Sequence, residues 1–134
     1  MNGRQKDVVL ILARELASNL ATPMLILDHH GTVVFFNEAA EAVLGAPFAQ
    51  VGEVAPTDWE HHWPITYEDG SPFSMPDSPL ARVITDEAPG HQVIFMTGLD
   101  GVKRRVSATA YPLIGSTHRL VGAVGVFWQE DDGS

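Results

Sequence analysis

Histidines beside carboxylates are the residues of this sequence that come nearest to a metal or catalytic site. His29 and His30 follow Asp28, and Glu60-His61-His62 brings a carboxylate next to two imidazoles. Adjacent side chains at a strand end point to opposite faces, so His29 and His30 make a poor chelate and fit a polar turn better. The spacing fixes no nucleophile, base and oxyanion site, and the chain has no glycine-rich phosphate loop. We therefore expect neither a metal site nor an enzyme.

The composition excludes several further kinds of chemistry. The chain has no cysteine, which removes disulfides, thiolate metal ligands and a cysteine-linked chromophore. Seventeen acidic residues against eight basic ones give a formal net charge of −9. Nucleic-acid binders carry basic patches, and the basic cluster Lys103-Arg104-Arg105 fits a solvated strand end better. No apolar run approaches the roughly 20 residues that span a bilayer. We expect a cytoplasmic domain with no nucleic-acid partner and no membrane partner.

Periodicity divides the chain into an N-terminal amphipathic helix and a mixed body. Apolar residues recur at three- and four-residue spacing within residues 1–20, and Pro23 lies beyond the end of this helix. Two strands follow, at 24–28 and 32–37. Asn37 is then expected to cap a short helix that ends at Gly45.

The second half of the body is predicted to be mainly sheet. Residues 46–77 hold five prolines, so we expect loops and short helical turns there. A short helix is predicted over 78–86. Three strands then close the body, at 92–98, 102–113 and 119–129, with a hairpin turn at Asp100-Gly101. The body is one domain, residues 21–129, and residues 130–134 are a tail or the start of a linker.

Two segments of this body resemble the PAS domain family. Residues 23–45 look like the family's opening hairpin and first core helix, through Gly31, Phe36-Asn37-Glu38 and Leu44-Gly45. Residues 100–124 look like its closing hairpin, through Asp100-Gly101, Arg105, Pro112-Leu113 and Gly122-Ala123-Val124. The resemblance implies an α+β fold: a five-stranded antiparallel sheet with short helices on one face and the N-terminal helix on the other.

The resemblance also implies a function in signal transduction. Such a sensory module passes its signal to an attached or partner output domain: a kinase, phosphatase, cyclase or transcription regulator. Many members end their last strand in an Asp-Ile-Thr-like junction, whereas this chain has Phe127-Trp128-Gln129-Glu130. The route to an output domain therefore stays open.

In this fold a pocket lies between the inner face of the sheet and the short helices. Because strand side chains alternate, aligning the closing hairpin on Gly101 and Pro112 predicts which residues face inward. The predicted lining is Ile94, Met96, Val106, Ala108, Ala110, Val124 and Val126 from the sheet, with Ile26, Leu44, Trp63, Leu80, Val83 and Ile84 opposite. The small side chains leave room for an apolar molecule such as a fatty acid. A filled core, in a domain that only holds partners together, is the alternative.

Haem and flavin are both disfavoured as cofactors by the same resemblance. Haem-binding members take an axial histidine from the helix at 78–86, which contains none here. Flavin-binding members need a cysteine near the flavin and amide side chains on the inner strands, where Met96, Val106 and Val124 stand.

The N-terminal helix carries an apolar stripe wider than one contact would cover. Val8 and Ile11 widen this stripe, and Ala123, Gly125 and Phe127 are expected on the outer face of the sheet. We predict a homodimer whose interface consists of Val9, Leu12, Leu16, Leu20 and Phe127. A helix that only covers its own sheet is the alternative.

Overall fold

Among the described residues, six antiparallel strands form one sheet in the order β2-β1-β6-β5-β4-β3. The computed structural model describes residues 3–73, 79–115 and 118–130. The strands are β1 Met24–Asp28, β2 Val33–Phe36, β3 Ile65–Tyr67, β4 Gly90–Thr97, β5 Lys103–Ile114 and β6 Leu120–Gln129. The α+β architecture expected from the sequence is confirmed, with one strand more than the five predicted.

The additional strand is β3, which lies in the proline-rich middle where loops were expected. It pairs with the outer edge of β4, Ile65 opposite Met96 and Tyr67 opposite Ile94. Proline is tolerated at the ends of an edge strand, and Pro64 precedes β3 directly. Three residues between prolines are therefore enough to extend the sheet.

Short helices cover the inner face of this sheet. They are α2 Glu38–Leu44, α3 Phe48–Val51, α4 Trp59–His62 and α5 Arg82–Thr85, with 3₁₀ turns at Pro56–Asp58 and Pro79–Ala81. The last turn and α5 lie within the helix predicted at 78–86, of which residue 78 falls outside the described residues. The main hydrophobic core lies between these helices and the sheet, and includes Phe36, Leu44, Ile94 and Val106.

The first of these helices begins and ends at the predicted residues. Asn37 Oδ1 accepts a hydrogen bond from the Ala40 backbone N–H at 3.0 Å, which is N-capping. Gly45 follows the last turn with a φ of 89°, in the left-handed region that glycine adopts without strain.

Helix α1, Gly3–Ser18, lies on the opposite, outer face against β1, β2 and β6. Ala17 is fully buried there, and Leu10 and Ala13 pack beside it. The strand residues under the helix include Ile26, Val124 and Val126. Among the described residues, no helix combines the length and apolarity needed to cross a bilayer.

A β-bulge in β6 decides which residues of that strand face inward. Ile114 pairs with Leu120, but Leu113 pairs with Gly122, so Val121 is an extra residue on β6. One extra residue turns every later side chain to the other face. Beyond the bulge, Ala108 lies opposite Phe127, and Ala110 lies opposite Gly125. The face assignment made from the sequence, which assumed an unbroken hairpin register, is therefore wrong for β6.

Candidate functional site

A cavity of about 400 Å³ lies between the inner face of the sheet and the short helices. Its wall contains the following residues predicted to line a pocket: Leu44, Trp63, Leu80, Val83, Ile84, Ile94, Met96, Val106, Ala108, Ala110 and Val126. The sheet residues reach one wall because β4 and β5 alternate in the expected register, Ile94 opposite Val106. The helix residues reach the other wall from α2, α5 and the segments next to α4 and α5.

Two predicted lining residues, Ile26 and Val124, do not reach this cavity. They pair with each other across β1 and β6 and pack under α1 on the outer face. Val126 borders the cavity, yet it packs in the same outer cluster. The bulge at Val121 explains why Val124 and Val126 lie on the outer face. Ile26 lies on the same face because it pairs with Val124.

The inner positions on these two strands belong to residues that the sequence did not identify. Leu25 and Leu27 of β1, and Gly125 and Phe127 of β6, line the cavity instead. The sequence carries only a weak local signal that these residues, rather than the predicted ones, face inward. Gly122, where a side chain would collide with the Leu27 carbonyl, marks a close approach of β1 and β6 beside the bulge.

The C-terminal end of α2 fixes the position of the helical wall. The carbonyl oxygen of Leu44 accepts hydrogen bonds from the Leu99 backbone N–H at 2.8 Å and from Trp63 Nε1 at 3.2 Å. Arg104 Nη1 donates to the carbonyl oxygen of Val43 at 3.1 Å. These bonds satisfy carbonyls that a helix end leaves unpaired. They also join α2 to the β4–β5 turn.

An ion pair in this turn holds Arg104 in place. Asp100 accepts from Arg104 Nη2 at 2.8 Å and from the Val102 backbone N–H at 3.1 Å. The Arg104 side chain is the main reason that the pKa of Asp100 falls to about 2, and the bond from Val102 lowers it further. The same pairing raises the pKa of Arg104.

One end of the cavity carries polar side chains. His30 and Gly31, in the β1–β2 turn, and Pro56, Trp59 and Glu60, in the segment leading into α4, line it there. The sequence offered no signal for this grouping, since 24 residues separate the two segments in the chain. Within the described residues, no group of three or more histidines and carboxylates could hold a metal ion.

The described part of the cavity wall lacks amide side chains. No asparagine or glutamine occurs among the described lining residues, and the chain has no cysteine. Gln92 shares the face of Ala108 through their pairing, but it lies outside the lining.

The residues predicted to form a dimer interface divide into two groups. Leu12 is 62% exposed, Leu16 is 59% exposed and Leu20 is 41% exposed on the N-terminal segment. Val9 is half-buried. Phe127 is 5% exposed within the inner core, so it cannot contact a partner. The prediction that Phe127 belongs to the interface is wrong, because the bulge at Val121 turns this residue to the inner face.

Comparison with known proteins agrees with this architecture. Residues 12–51 match the family model described as the PAS fold. No curated protein matches the chain.

Solved structures extend the likeness to nearly the whole chain. A PAS domain of a Colwellia psychrerythraea protein is 17% identical, with a TM-score of 0.64 over 91% of this chain and 97% of that one. The PAS domain of nitrogen regulation protein NR(II) from Vibrio parahaemolyticus is 16% identical, with a TM-score of 0.62 over 89% and 98%. The Rhodobacter sphaeroides LOV protein is 8% identical, with a TM-score of 0.73 over 95% and 70%. At these identities the likeness establishes the fold.

Proposed function

Because the chain has the PAS fold, we propose that it is a non-enzymatic sensory domain of a signal-transduction protein. It binds a small, largely apolar molecule in the inner cavity and transmits occupancy of that cavity to an output domain. The observation that carries this proposal is the cavity itself, about 400 Å³ in volume and walled mainly by aliphatic and aromatic side chains. Pockets for small molecules are commonly about 300–1,000 Å³ and mostly apolar.

The cavity favours ligand binding over the alternative of an interaction module with a filled core. Protein interiors are close-packed and contain few voids larger than a water molecule. Here three positions on the sheet side of the cavity wall, Ala108, Ala110 and Gly125, have a small side chain or none. A module selected only for holding partners together gains no stability from such a void.

Strand β6 supplies a physical route for transmission. Phe127 belongs to the inner core beside the cavity, whereas Val124 and Val126 pack under α1. A shift of β6 that accompanies ligand binding therefore changes the position of α1 on the outer face of the sheet. A ligand can bias two such arrangements only by its different affinity for them. We propose that α1 relays the change to an attached or partner kinase, phosphatase, cyclase or transcription regulator.

We further propose that the domain forms a homodimer through the exposed face of α1. Leu12 and Leu16 are more than half exposed, as are Val8 and Ile11. Helix α1 already covers its own sheet through Leu10, Ala13 and Ala17, so these exposed residues form a second apolar face. A two-fold contact between two copies would remove this face from water.

Mass spectrometry of an organic-solvent extract of the purified protein tests the ligand proposal. We expect a small molecule with an apolar skeleton at near-unit stoichiometry, and no visible absorbance from haem or flavin. The Ala108→Phe variant, extracted in parallel, should lose the molecule. An empty extract, together with a failure of apolar fluorescent probes to bind, would favour the filled-core interaction module.

A further inference from the structure

Six polar side chains border the cavity among the residues that the structure describes, and three of them have hydrogen-bond partners within the protein. Trp63 Nε1 donates to the Leu44 carbonyl at 3.2 Å. Thr85 Oγ1 donates to a backbone carbonyl one helical turn earlier at 3.1 Å. Thr109 Oγ1 lies 2.6 Å from His91 Nδ1 on the outer side of the sheet. The N–H of Trp63 and the O–H of Thr85 are therefore already used as donors, and Thr109 already has His91 as a partner.

The other three polar residues are His30, Trp59 and Glu60. The Trp59 Nε1 atom is buried and has no hydrogen-bond partner. The His30 ring lies against the His29 ring at an angle of 40°, with 3.9 Å between centroids. His30 and Glu60 are exposed residues, so their side chains are open to water as well as to a ligand. An unpaired buried N–H is unfavourable unless a ligand or water supplies an acceptor.

These three groups lie at the same end of the cavity. His30 belongs to the β1–β2 turn, and Trp59 and Glu60 are consecutive at the start of α4. The two segments touch, since a Cβ built at Gly31 would lie 3.5 Å from Pro56 Cγ. Met96, Val106 and Ala108 contribute apolar side chains to the wall. Among the described lining residues, His30, Trp59 and Glu60 are therefore grouped where the two segments meet.

We propose that His30, Trp59 and Glu60 recognise a neutral hydroxyl group at one end of an otherwise apolar ligand, such as a long-chain alcohol or a phenol. This inference rests on the ligand-binding function proposed above. The indole N–H only donates, an ionised carboxylate only accepts, and a hydroxyl group does both. One hydroxyl group thus satisfies Trp59 and Glu60 together, and the imidazole can act in either role.

Other head groups satisfy this end of the cavity less well. A carboxylate accepts from Trp59 but meets the negative charge of Glu60, in a chain of formal net charge −9. A plain hydrocarbon leaves the Trp59 N–H unpaired. An ether accepts a hydrogen bond but donates none to Glu60.

Displacement of the apolar fluorophore N-phenyl-1-naphthylamine from the purified full chain tests this preference. The competitors are 1-decanol, decanoate and nonyl methyl ether, which have similar length and different head groups. We expect 1-decanol to displace the fluorophore at concentrations about tenfold lower than decanoate and about threefold lower than the ether, as loss of one hydrogen bond predicts. Glu60→Gln should reduce the preference over decanoate to less than about threefold, since the repulsive charge is gone. Trp59→Phe should weaken the binding of 1-decanol by roughly three- to tenfold.

Thr85→Val is the matched control, because it removes a cavity-bordering hydroxyl that is already bonded within its own helix. It should leave the order of the competitors unchanged. The proposal is overturned if decanoate binds as tightly as 1-decanol. It is also overturned if Glu60→Gln and Thr85→Val have equal effects on the preference for 1-decanol over decanoate. Glu60 is exposed, so its variant decides the matter even if Trp59→Phe unfolds. If the fluorophore itself does not bind, the ligand-binding function fails as well, which separates the two results.

Discussion

The side-chain amide nitrogen of Asn37 lies 2.9 Å from the carbonyl oxygen of Ala17, the residue of α1 that is fully buried on the sheet. The same nitrogen donates to the Thr22 carbonyl at 2.8 Å. Its Oδ1 atom accepts from the backbone N–H groups of Met24 at 3.1 Å and Ala40 at 3.0 Å. One buried side chain thus joins the end of α1, the following loop, the start of β1 and the start of α2.

Removing the Asn37 amide should destabilise the domain strongly. Asn37→Ala leaves buried carbonyl and N–H groups without partners and removes a helix cap, so we expect the free energy of unfolding to fall by roughly 3 kcal/mol. Urea denaturation followed by circular dichroism measures this change. Asn19→Ala is the control, because Asn19 donates to the Glu15 carbonyl on the exposed side of α1. It should cost less than about 0.5 kcal/mol. Equal losses in the two variants would refute the special role of Asn37.

Filling the cavity should abolish ligand binding without unfolding the protein. Ala108 lies in the cavity wall, and a phenylalanine there occupies existing space. We expect Ala108→Phe to weaken binding of N-phenyl-1-naphthylamine by at least about tenfold. The free energy of unfolding should change by less than the roughly 1–3 kcal/mol that overpacking costs in a filled core. Ala42→Phe, on the exposed side of α2, should leave probe binding unchanged. Retained binding, or a loss of stability typical of overpacking, would argue against the cavity.

Charged residues on the exposed face of α1 should dissociate the dimer. Leu12 and Leu16 are exposed in the single chain, so Leu12→Glu with Leu16→Glu should give a stable monomer. Sedimentation velocity over a range of micromolar concentrations distinguishes monomer from dimer. Leu99→Glu places the same change on another exposed leucine, in the β4–β5 turn, and should leave the dimer intact. An unmodified chain that sediments as a monomer throughout that range would exclude this interface.

The Asp100–Arg104 pair should contribute to stability only above acidic pH. The pKa of Asp100 is about 2 in the folded protein, below its ordinary value of 3.8, so the folded state prefers the ionised carboxylate. This stabilisation is complete above about pH 4 and is lost as the pH falls toward 2. Asp100→Asn should therefore lower the Tm at neutral pH and make no difference near pH 2. Asp86→Asn disrupts an exposed pair with Arg82 at 3.5 Å and should change the Tm little at either pH. A constant effect of Asp100→Asn across this range would contradict the assignment.

The parts of the fold that the sequence predicted well depend on local physical chemistry. The N-cap at Asn37 and the left-handed residue Gly45 are set by the residues themselves and their immediate neighbours. The β4–β5 turn follows in the same way from Asp100-Gly101, with Gly101 at a φ of 81°. The alternation of β4 and β5 then placed Ile94, Met96 and Val106 correctly.

The errors arose where the outcome depends on pairing between distant segments. A bulge at Val121 is a property of the register between β5 and β6, and the alternation of apolar residues on β6 permits either face. Phe127 and Val124 were therefore exchanged. The polar end of the cavity was missed because His30, Trp59 and Glu60 come together only when the β1–β2 turn reaches the segment before α4.

The bulge at Val121 also has an evolutionary consequence. Deleting the single codon for Val121 would restore an unbroken hairpin register and exchange the two faces of β6 in one event. Val124 and Val126 would then face the cavity, while Ala123 and Phe127 would turn toward α1. Reaching the same wall by point mutation would take several substitutions, with mismatched intermediates along the way. Insertions and deletions of one residue in this hairpin thus give the lineage a short route to a different cavity wall.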